Sequence, residues 1–180
     1  YAVCPYCDTQ YLLTAEDYYF TDTHWRQEKL LPAATAICQA IGLSTPTGVT
    51  ARQVDQPFYG VYYGQAALPM DAEPLYIMES EVLKNCTVYN HETGETTAVY
   101  DMGKLESKDL YDVYLSGAQA LLTITNPNAK TTKELIVFRD SFGSSLVPLM
   151  VGDYKTVTVV DIRYINSQLL GRFIDFQIEE

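Results

Sequence analysis

The chain has 180 residues, 47% of them hydrophobic and 19% charged, which is the composition of a globular rather than a disordered protein. Its 12 Lys and Arg residues against 23 Asp and Glu residues give a net charge of −11, which disfavours nucleic acid and anionic lipid as partners. No apolar run approaches the roughly 20 residues of a membrane span, so we expect neither membrane insertion nor a signal peptide in this segment. The length predicts one domain over residues 1–180, and the start at Tyr1 is compatible with trimming at both ends.

The first element of the chain is a pair of cysteines, Cys4 and Cys7, in the sequence Cys-Pro-Tyr-Cys, which is also the active-site tetrapeptide of glutaredoxins. In that fold the first cysteine follows a strand and begins a helix that stabilises its thiolate. Only three residues precede Cys4, too few for the strand, and Cys38 and Cys86 do not supply the second ligand pair of a zinc site. We therefore expect a local disulfide or free thiols here.

A helix is predicted over residues 26–41, because apolar side chains recur there at helical spacing. Pro32 falls in its first turn and Gly42 follows its last, as is typical of helix ends. Residues 44–57 are rich in Thr, Ser, Pro and Gly and predict a loop.

Residues 58–100 predict a β-rich insertion, since "FYGVYY", "PLYIM" and "CTVYNHETGETTAVY" are rich in β-branched and aromatic residues. The last of these segments predicts a hairpin that turns at residues 92–94, with His91 beside the turn as a solvated residue.

The final third contains three short apolar runs, "ALLTIT" (120–125), "ELIVF" (134–138) and "TVTVV" (156–160). Such runs are typical of strands buried on both faces of a parallel sheet. The segment between the last two runs is long enough for a crossover helix and predicts a βαβ unit.

Ser141 follows the second of these predicted strands, where the crossover helix would begin. Open α/β sheets bind ligands at this edge, and a helix start offers free N–H groups to an oxyanion. A serine nucleophile needs a base, and His24 is chemically suited to that role. Asp22 would lie on the same face of an extended segment and could orient the ring through Nδ1, leaving Nε2 for Ser141. Asp140 and Ser141 are also common helix caps, which is the structural alternative.

The segments "YYFTDTHW", "FYGVYY", "LYDVYLSGAQALLTI", "ELIVFRDSFGSSLVPLM" and "TVTVVDIRYI" resemble the DHHW family of bacterial proteins in order and spacing. Asp22-Thr23-His24-Trp25 is also similar to the Asp-x-His-Trp motif of the alginate O-acetyltransferases, and both groups belong to the SGNH-hydrolase-like set. The resemblance covers nearly the whole chain. It implies an α/β fold of the flavodoxin-like type, a three-layer sandwich with a mainly parallel sheet, interrupted by the β-rich insertion around 58–100.

Carried over motif by motif, the resemblance implies that Ser141 is the nucleophile, His24 the base and Asp22 the residue that orients it. The backbone N–H groups of Ser141 and Gly117 are the expected oxyanion donors, and Trp25, the last residue of the motif, is counted with the binding residues.

The sequence departs from the SGNH pattern in two places. Arg139 stands where SGNH enzymes have a glycine before the Asp-Ser pair, and Ala118 stands where they have an asparagine oxyanion donor. Arg139 could lie near the oxyanion or anchor the loop. Asp140 and Arg163 are further binding candidates at this edge, although a structural ion pair between Arg163 and Asp161 is the favoured interpretation.

These residues predict an extracytoplasmic serine acyl esterase or O-acetyltransferase that acts on cell-surface or extracellular carbohydrate and requires no metal or organic cofactor. Its expected partners are carbohydrate or small acylated substrates and a membrane acyltransferase. The 15 tyrosines suit a sugar-binding surface. The alternative, which Ala118 and Arg139 favour, is a non-catalytic carbohydrate-binding or cell-surface interaction module on the same fold.

Overall fold

The computed structural model describes residues 6–67 and 69–176, and the strands of these residues form two sheets. The smaller sheet pairs β1 (Thr50–Phe58) with β2 (Glu73–Glu79) in antiparallel orientation. The larger sheet has the strand order β4-β3-β5-β7-β6. Its strands are β3 (Thr87–Asn90), β4 (Thr96–Ala98), β5 (Leu121–Thr125), β6 (Glu134–Phe138) and β7 (Thr156–Val160).

The helices of the described residues are short. The α-helices are α1 (Leu31–Ala40), α2 (Val61–Ala66), α3 (Glu81–Asn85) and α4 (Gly143–Leu146). The 3-10 helices span Ala15–Asp17, Gln27–Lys29, Met102–Glu106, Leu110–Val113, Val147–Met150 and Ser167–Arg172. Within the described ranges, no helix combines the length and the apolar character that crossing a bilayer requires.

The predicted helix over residues 26–41 is confirmed with a later start, as α1. Pro32 lies in its first turn, where a missing N–H costs nothing, and Gly42 follows its end with a φ of +72°. Ala33 and Ala34 are buried, so α1 turns its small apolar face to the core.

The three predicted strands of the final third are confirmed as β5, β6 and β7. The βαβ unit is confirmed as well, because β6 and β7 pair in parallel and α4 lies between them in the chain. The hairpin of β3 and β4 is also confirmed, with an antiparallel register that joins Val88 to Thr97.

The expectation of a flavodoxin-like sandwich with a mainly parallel sheet is wrong. The β6–β7 pair is the sole parallel pair among the described strands, whereas β3–β4, β3–β5 and β5–β7 are antiparallel. A parallel return needs a crossover of about a dozen residues or more. Residues 126–133, which connect β5 to β6, are too few, so the chain enters β6 in the opposite direction to β5.

The predictions for residues 44–57 and for "FYGVYY" are wrong in part. Residues 50–58 form β1 rather than a loop, although most of its side chains are exposed, because Val54 and Phe58 anchor it in the core. Residues 61–66 form α2 rather than a strand. In both segments tertiary contacts override the local preference of the sequence.

The main core lies between the smaller sheet and one face of the larger sheet. Leu75 and Ile77 of β2 are buried in the same cluster as Leu122 and Ile124 of β5. A smaller cluster on the opposite face of the larger sheet joins Leu121, Val160, Leu170 and Ile174. The edge strand β6 is less well covered, and Phe138 at its end is 53% exposed.

Among the described residues Cys7, Cys38 and Cys86 form no disulfide with one another. Burial raises the pKa of Cys86 to about 11, which makes its thiol a poor nucleophile at neutral pH. Cys4 lies outside the described residues, and its pairing stays a prediction.

The residues before α2 touch the segment that contains Asp22. A Cβ atom added at Gly60 would lie 2.3 Å from both the Thr21 carbonyl oxygen and Asp22 Cβ. The Gly60 amide donates to Thr21 Oγ1 at 3.0 Å. The absence of a side chain at this position is therefore what allows α2 to approach residues 21 and 22.

We predict that Gly60→Ala lowers the free energy of unfolding by about 1–3 kcal/mol, because the new methyl group overpacks this contact. Gly64→Ala is the matched control, since Gly64 lies in the same helix with nothing within 4 Å of an added Cβ. The control should be neutral or stabilising by up to about 1 kcal/mol. Urea denaturation of both variants measures the difference, and equal stabilities would contradict the packing argument.

Candidate active site

The Asp22-Thr23-His24-Trp25 segment is a short return of the chain fixed at both ends. Tyr18 and Trp25 form an antiparallel bridge, and the Tyr19 amide donates to the His24 carbonyl at 3.0 Å. Thr21 is buried and its hydroxyl donates to Glu73 Oε2 at 2.6 Å, at the start of β2. The segment is thereby tied to the smaller sheet.

Asp22 is buried and its carboxylate is surrounded by hydrogen-bond donors. Oδ1 accepts from His24 Nδ1 at 2.5 Å and from the His24 amide at 3.0 Å, and Oδ2 accepts from the Val61 amide at 2.9 Å. Burial alone would raise the pKa of Asp22, but the hydrogen bonds from His24 and Val61 outweigh it and lower that pKa. The carboxylate is therefore ionised at neutral pH and can only accept, which assigns the shared proton to Nδ1 of His24.

The His24 ring is held between two aromatic residues. Tyr111 stacks on it at 4.0 Å between ring centroids with an interplanar angle of 13°, and Phe142 lies at 5.0 Å with a tilt of 55°. Nε2 is buried and has no hydrogen-bond partner among the described residues. With Nδ1 protonated, this nitrogen carries a free lone pair and is the basic atom of the arrangement.

Ser141 lies on the turn between β6 and α4 and is partly exposed. Within residues 6–67 and 69–176 its hydroxyl makes no hydrogen bond, to His24 or to any other group. Its neighbour Phe142 contacts the His24 ring. Residues 140–144, the serine turn, therefore pack directly beside the histidine. The exposed Asp140 acts as the cap of this turn, since Oδ1 accepts from the Phe142 amide at 3.0 Å and its carbonyl accepts from Gly143 at 3.1 Å.

A second serine, Ser145, is the polar centre that joins the two halves of the site, and the sequence analysis missed it. It is fully buried, and its hydroxyl accepts from Trp25 Nε1 at 2.8 Å and bonds the Tyr111 hydroxyl at 2.7 Å. Its carbonyl accepts from Gln27 Nε2 at 2.8 Å, and Gln27 Oε1 accepts from the Met78 amide at 2.8 Å. The only sequence feature that could have pointed to Ser145 is its position four residues after Ser141, and helix capping explains that spacing equally well.

Trp25 has a structural part in the site, and its role as a binding residue stays a prediction. Its indole N–H is used by Ser145, and its ring meets Phe142 edge-on at 5.0 Å. It fixes the histidine segment against α4.

The Gly117 amide donates to the Tyr114 carbonyl at 3.0 Å and is not free to serve an oxyanion in this conformation. Arg139 is buried, and its Nη2 donates to the Gly117 carbonyl at 3.0 Å. Arg163 forms two hydrogen bonds to Asp161, at 2.9 and 2.6 Å, which is the structural ion pair favoured above.

Asp112 is an acidic residue next to Gly117 that the sequence analysis did not single out. It follows Tyr111 in the 3-10 helix and packs so closely on Gly117 that an added Cβ there would lie 2.0 Å from Oδ1. Burial raises the pKa of Asp112, and the nearby Asp109 raises it further.

Residues 10–160 match the family described as DHHW protein. No curated protein matches the chain. A crystal structure of a DHHW family protein from Eubacterium siraeum has a similar fold, with a TM-score of 0.68 and 20% identity over 88% of this chain and 56% of that one.

Bacillus cereus PatB1 also has a similar fold. Its structure with a sulfonyl adduct gives a TM-score of 0.64 and 18% identity over 84% of this chain and 53% of that one. A second PatB1 structure gives 0.58 and 18% over 84% and 56%. The chain therefore spans about half the length of the solved structures it matches, and at these identities the likeness concerns the fold.

We predict that Ser145→Ala lowers the free energy of unfolding by about 1–3 kcal/mol, because it removes the acceptor of the part-buried Trp25 indole N–H and the partner of the buried Tyr111 hydroxyl. Ser141→Ala is the matched control on the same turn and should change stability by less than about 0.5 kcal/mol. Thermal and urea denaturation of the two variants separate the roles. Equal losses would contradict the assignment of Ser145 as the structural serine.

The stabilising effect of Asp22 should depend on pH. The folded state lowers the pKa of Asp22, so its ionised form stabilises the protein above the pKa of an unfolded aspartate, about 4. That contribution is lost as pH falls through the folded-state value. We therefore expect the stability gap between wild type and Asp22→Asn, measured by urea denaturation, to be largest near pH 6 and to shrink towards pH 3. A gap that is constant with pH would contradict this account.

Proposed function

Since the chain belongs to the DHHW family, we propose that it is an extracytoplasmic serine acyl esterase or O-acetyltransferase of the SGNH-like type, related to the alginate O-acetyltransferases. The observation that carries this proposal is the buried Asp22–His24 pair, whose Nε2 has no partner among residues 6–67 and 69–176 and lies beside the turn that bears Ser141. A base with an assigned tautomer next to a serine without a structural role is the arrangement that nucleophilic catalysis needs.

In this mechanism Ser141 Oγ attacks the carbonyl carbon of an ester, and its proton passes to His24 Nε2. The tetrahedral intermediate collapses when His24 returns the proton to the departing alkoxide, which leaves an acyl group on Ser141. A hydroxyl of water or of a sugar then attacks the acyl carbonyl, and His24 takes its proton. The bond between the acyl carbon and Ser141 Oγ breaks as His24 gives that proton to the departing serine oxygen. Asp22 stabilises the imidazolium formed in each half of the cycle.

The Ser141 amide is the available donor for the oxyanion, because it has no acceptor within the described part of the chain. The reacting groups must approach by a small movement of the serine turn, since Ser141 and His24 are not hydrogen bonded here. Catalytic hydrogen bonds often tighten only when substrate is bound.

One further observation supports an acylated carbohydrate as the substrate, and a second supports a nucleophilic side chain. An exposed group of tyrosines lies around Val61, whose amide binds Asp22; it comprises Tyr59, Tyr62 and Tyr63, which are 37–43% exposed. Such rings present an apolar face with a polar edge, which suits sugar rings. The PatB1 structure carries a sulfonyl adduct, and sulfonyl reagents react with nucleophilic side chains. A membrane acyltransferase that delivers the acyl group is the partner that this proposal implies.

We expect the wild-type protein to hydrolyse an aryl acetate and to be labelled at Ser141 by a fluorophosphonate. Ser141→Ala and His24→Ala should each lower kcat by about a thousandfold or more, because the nucleophile and base act as one unit. Ser167→Ala, at an exposed serine of the last 3-10 helix, should stay labelled at Ser141. The measurement is steady-state kinetics with mass spectrometry of the labelled peptide.

The Gly117 amide donates to the Tyr114 carbonyl and so is not free to bind an oxyanion. This observation favours a second function, a non-catalytic carbohydrate-binding or interaction module. No turnover, no labelling of Ser141 and glycan binding that survives Ser141→Ala would establish that alternative and contradict the enzyme.

A further inference from the structure

The guanidinium of Arg139 joins three segments of the chain at the edge of the sheet. Its Nη1 donates to the Asp140 carbonyl at 3.2 Å and to Ser144 Oγ at 3.0 Å, both on the serine turn. Its Nη2 donates to the Gly117 carbonyl at 3.0 Å. The side chain is only 2% exposed, so these contacts are shielded from solvent.

An ion pair with Asp161 accounts for only part of this burial. Nη1 of Arg139 lies 3.7 Å from Asp161 Oδ2, beyond hydrogen-bond distance, while Arg163 occupies both oxygens of the same carboxylate. Burial lowers the pKa of Arg139, and the charge of Asp161 only partly opposes it. A buried cation is costly unless its donors are used. Here Nη1 serves the serine turn and Nη2 serves the loop that ends at Gly117, whereas Nε has no partner among the described residues.

That loop has a backbone that needs external support. Leu115, Ser116 and Gly117 have consecutive positive φ values of 53°, 56° and 78°. The left-handed region is strained for residues other than glycine, and such strain persists only where the surroundings hold it. Ser116 Oγ donates to Asp101 Oδ2 at 2.8 Å, and the Arg139 guanidinium holds the last carbonyl of the loop.

We propose that Arg139 is a positioning residue that holds the serine turn at a fixed distance from the Gly117 loop and thereby presents Ser141 to His24. This inference rests on the proposed function. Arg139 does not contact the reacting atoms, because both of its terminal nitrogens are engaged within the protein and its side chain is buried. Its planar fork reaches Gly117 with one nitrogen and Ser144 with the other, which the single ammonium of a lysine cannot reproduce.

The test compares Arg139→Lys with Arg52→Lys. Arg52 is likewise hydrogen bonded within the protein, to the Glu79 carboxylate at 2.7 Å, but it lies in β1, away from the serine turn. In Arg139→Lys we expect kcat for an aryl acetate and the rate of fluorophosphonate labelling to fall about tenfold to a hundredfold, with KM changed less than twofold, as for a misplaced nucleophile. Arg52→Lys should react at the wild-type rate.

Hydrogen–deuterium exchange supplies the readout that does not depend on catalysis. In Arg139→Lys, exchange should increase together at residues 140–144 and 115–117, because the connection between them is lost. If the wild-type protein neither turns over an ester nor takes the label, the proposed function fails, while coupled exchange still decides the positioning role.

A folded Arg139→Lys variant with wild-type labelling and exchange would overturn the proposal, as would a raised KM with unchanged kcat, which would place Arg139 on the substrate. If Arg139→Lys does not fold, Ser144→Ala decides the question, since it keeps the guanidinium and removes the shorter of its two bonds to the turn while the bond to the Asp140 carbonyl remains. A loss of three- to tenfold in labelling rate would support the proposal, and an unchanged rate would overturn it.

Discussion

The candidate site depends on one buried carboxylate. Asp22 is removed from water, and its charge is acceptable there only because three N–H groups, from the His24 ring, the His24 backbone and Val61, point at it. Each donor is a structural constraint. The two N–H donors of His24 require the Asp22-Thr23-His24 segment to turn back on itself. The Val61 amide requires the start of α2 to lie against that segment. Gly60 supplies the space for this approach. The orientation of the imidazole is therefore a consequence of satisfying Asp22.

A second polar centre connects this unit to the serine turn. Ser145 receives the Trp25 indole and bonds the Tyr111 hydroxyl, and Tyr111 in turn stacks on His24. The histidine, its stacking partner and α4 are thus fixed relative to one another through a single hydroxyl. The division of labour between two serines follows from this arrangement. Ser145, in α4, has its hydrogen bonds filled and is structural, whereas the Ser141 hydroxyl has no hydrogen-bond partner in the part of the chain that the structure describes.

Much of the local structure follows from residue pattern. The strands β5, β6 and β7, the helix α1 and the βαβ unit are set by apolar runs, helical spacing and end residues, all of which act over a few neighbouring positions. The Asp22–His24 contact was likewise predictable, because the two residues are only two positions apart and any compact turn brings their side chains together. The wrong predictions concern features that depend on contacts between residues far apart in the sequence. β1 is a mostly exposed strand held by two core residues, and α2 is set by its contacts with residues 21 and 22.

The sequence alone determined the element types of the final third, the acidic character of the chain and the identity of the Asp-His pair, because these depend on composition and on short-range order. Only the tertiary structure decided the sheet direction, the structural roles of Trp25, Ser145 and Arg139, and the engagement of the Gly117 amide. The connection between β5 and β6 forces an antiparallel β5–β7 pair, and no apolar run encodes strand direction. In the same way, hydrogen bonds between residues more than twenty positions apart form only once the chain has folded. The position of Arg139 beside Asp140 and Ser141 therefore could not show whether its side chain contacts a substrate or the protein interior.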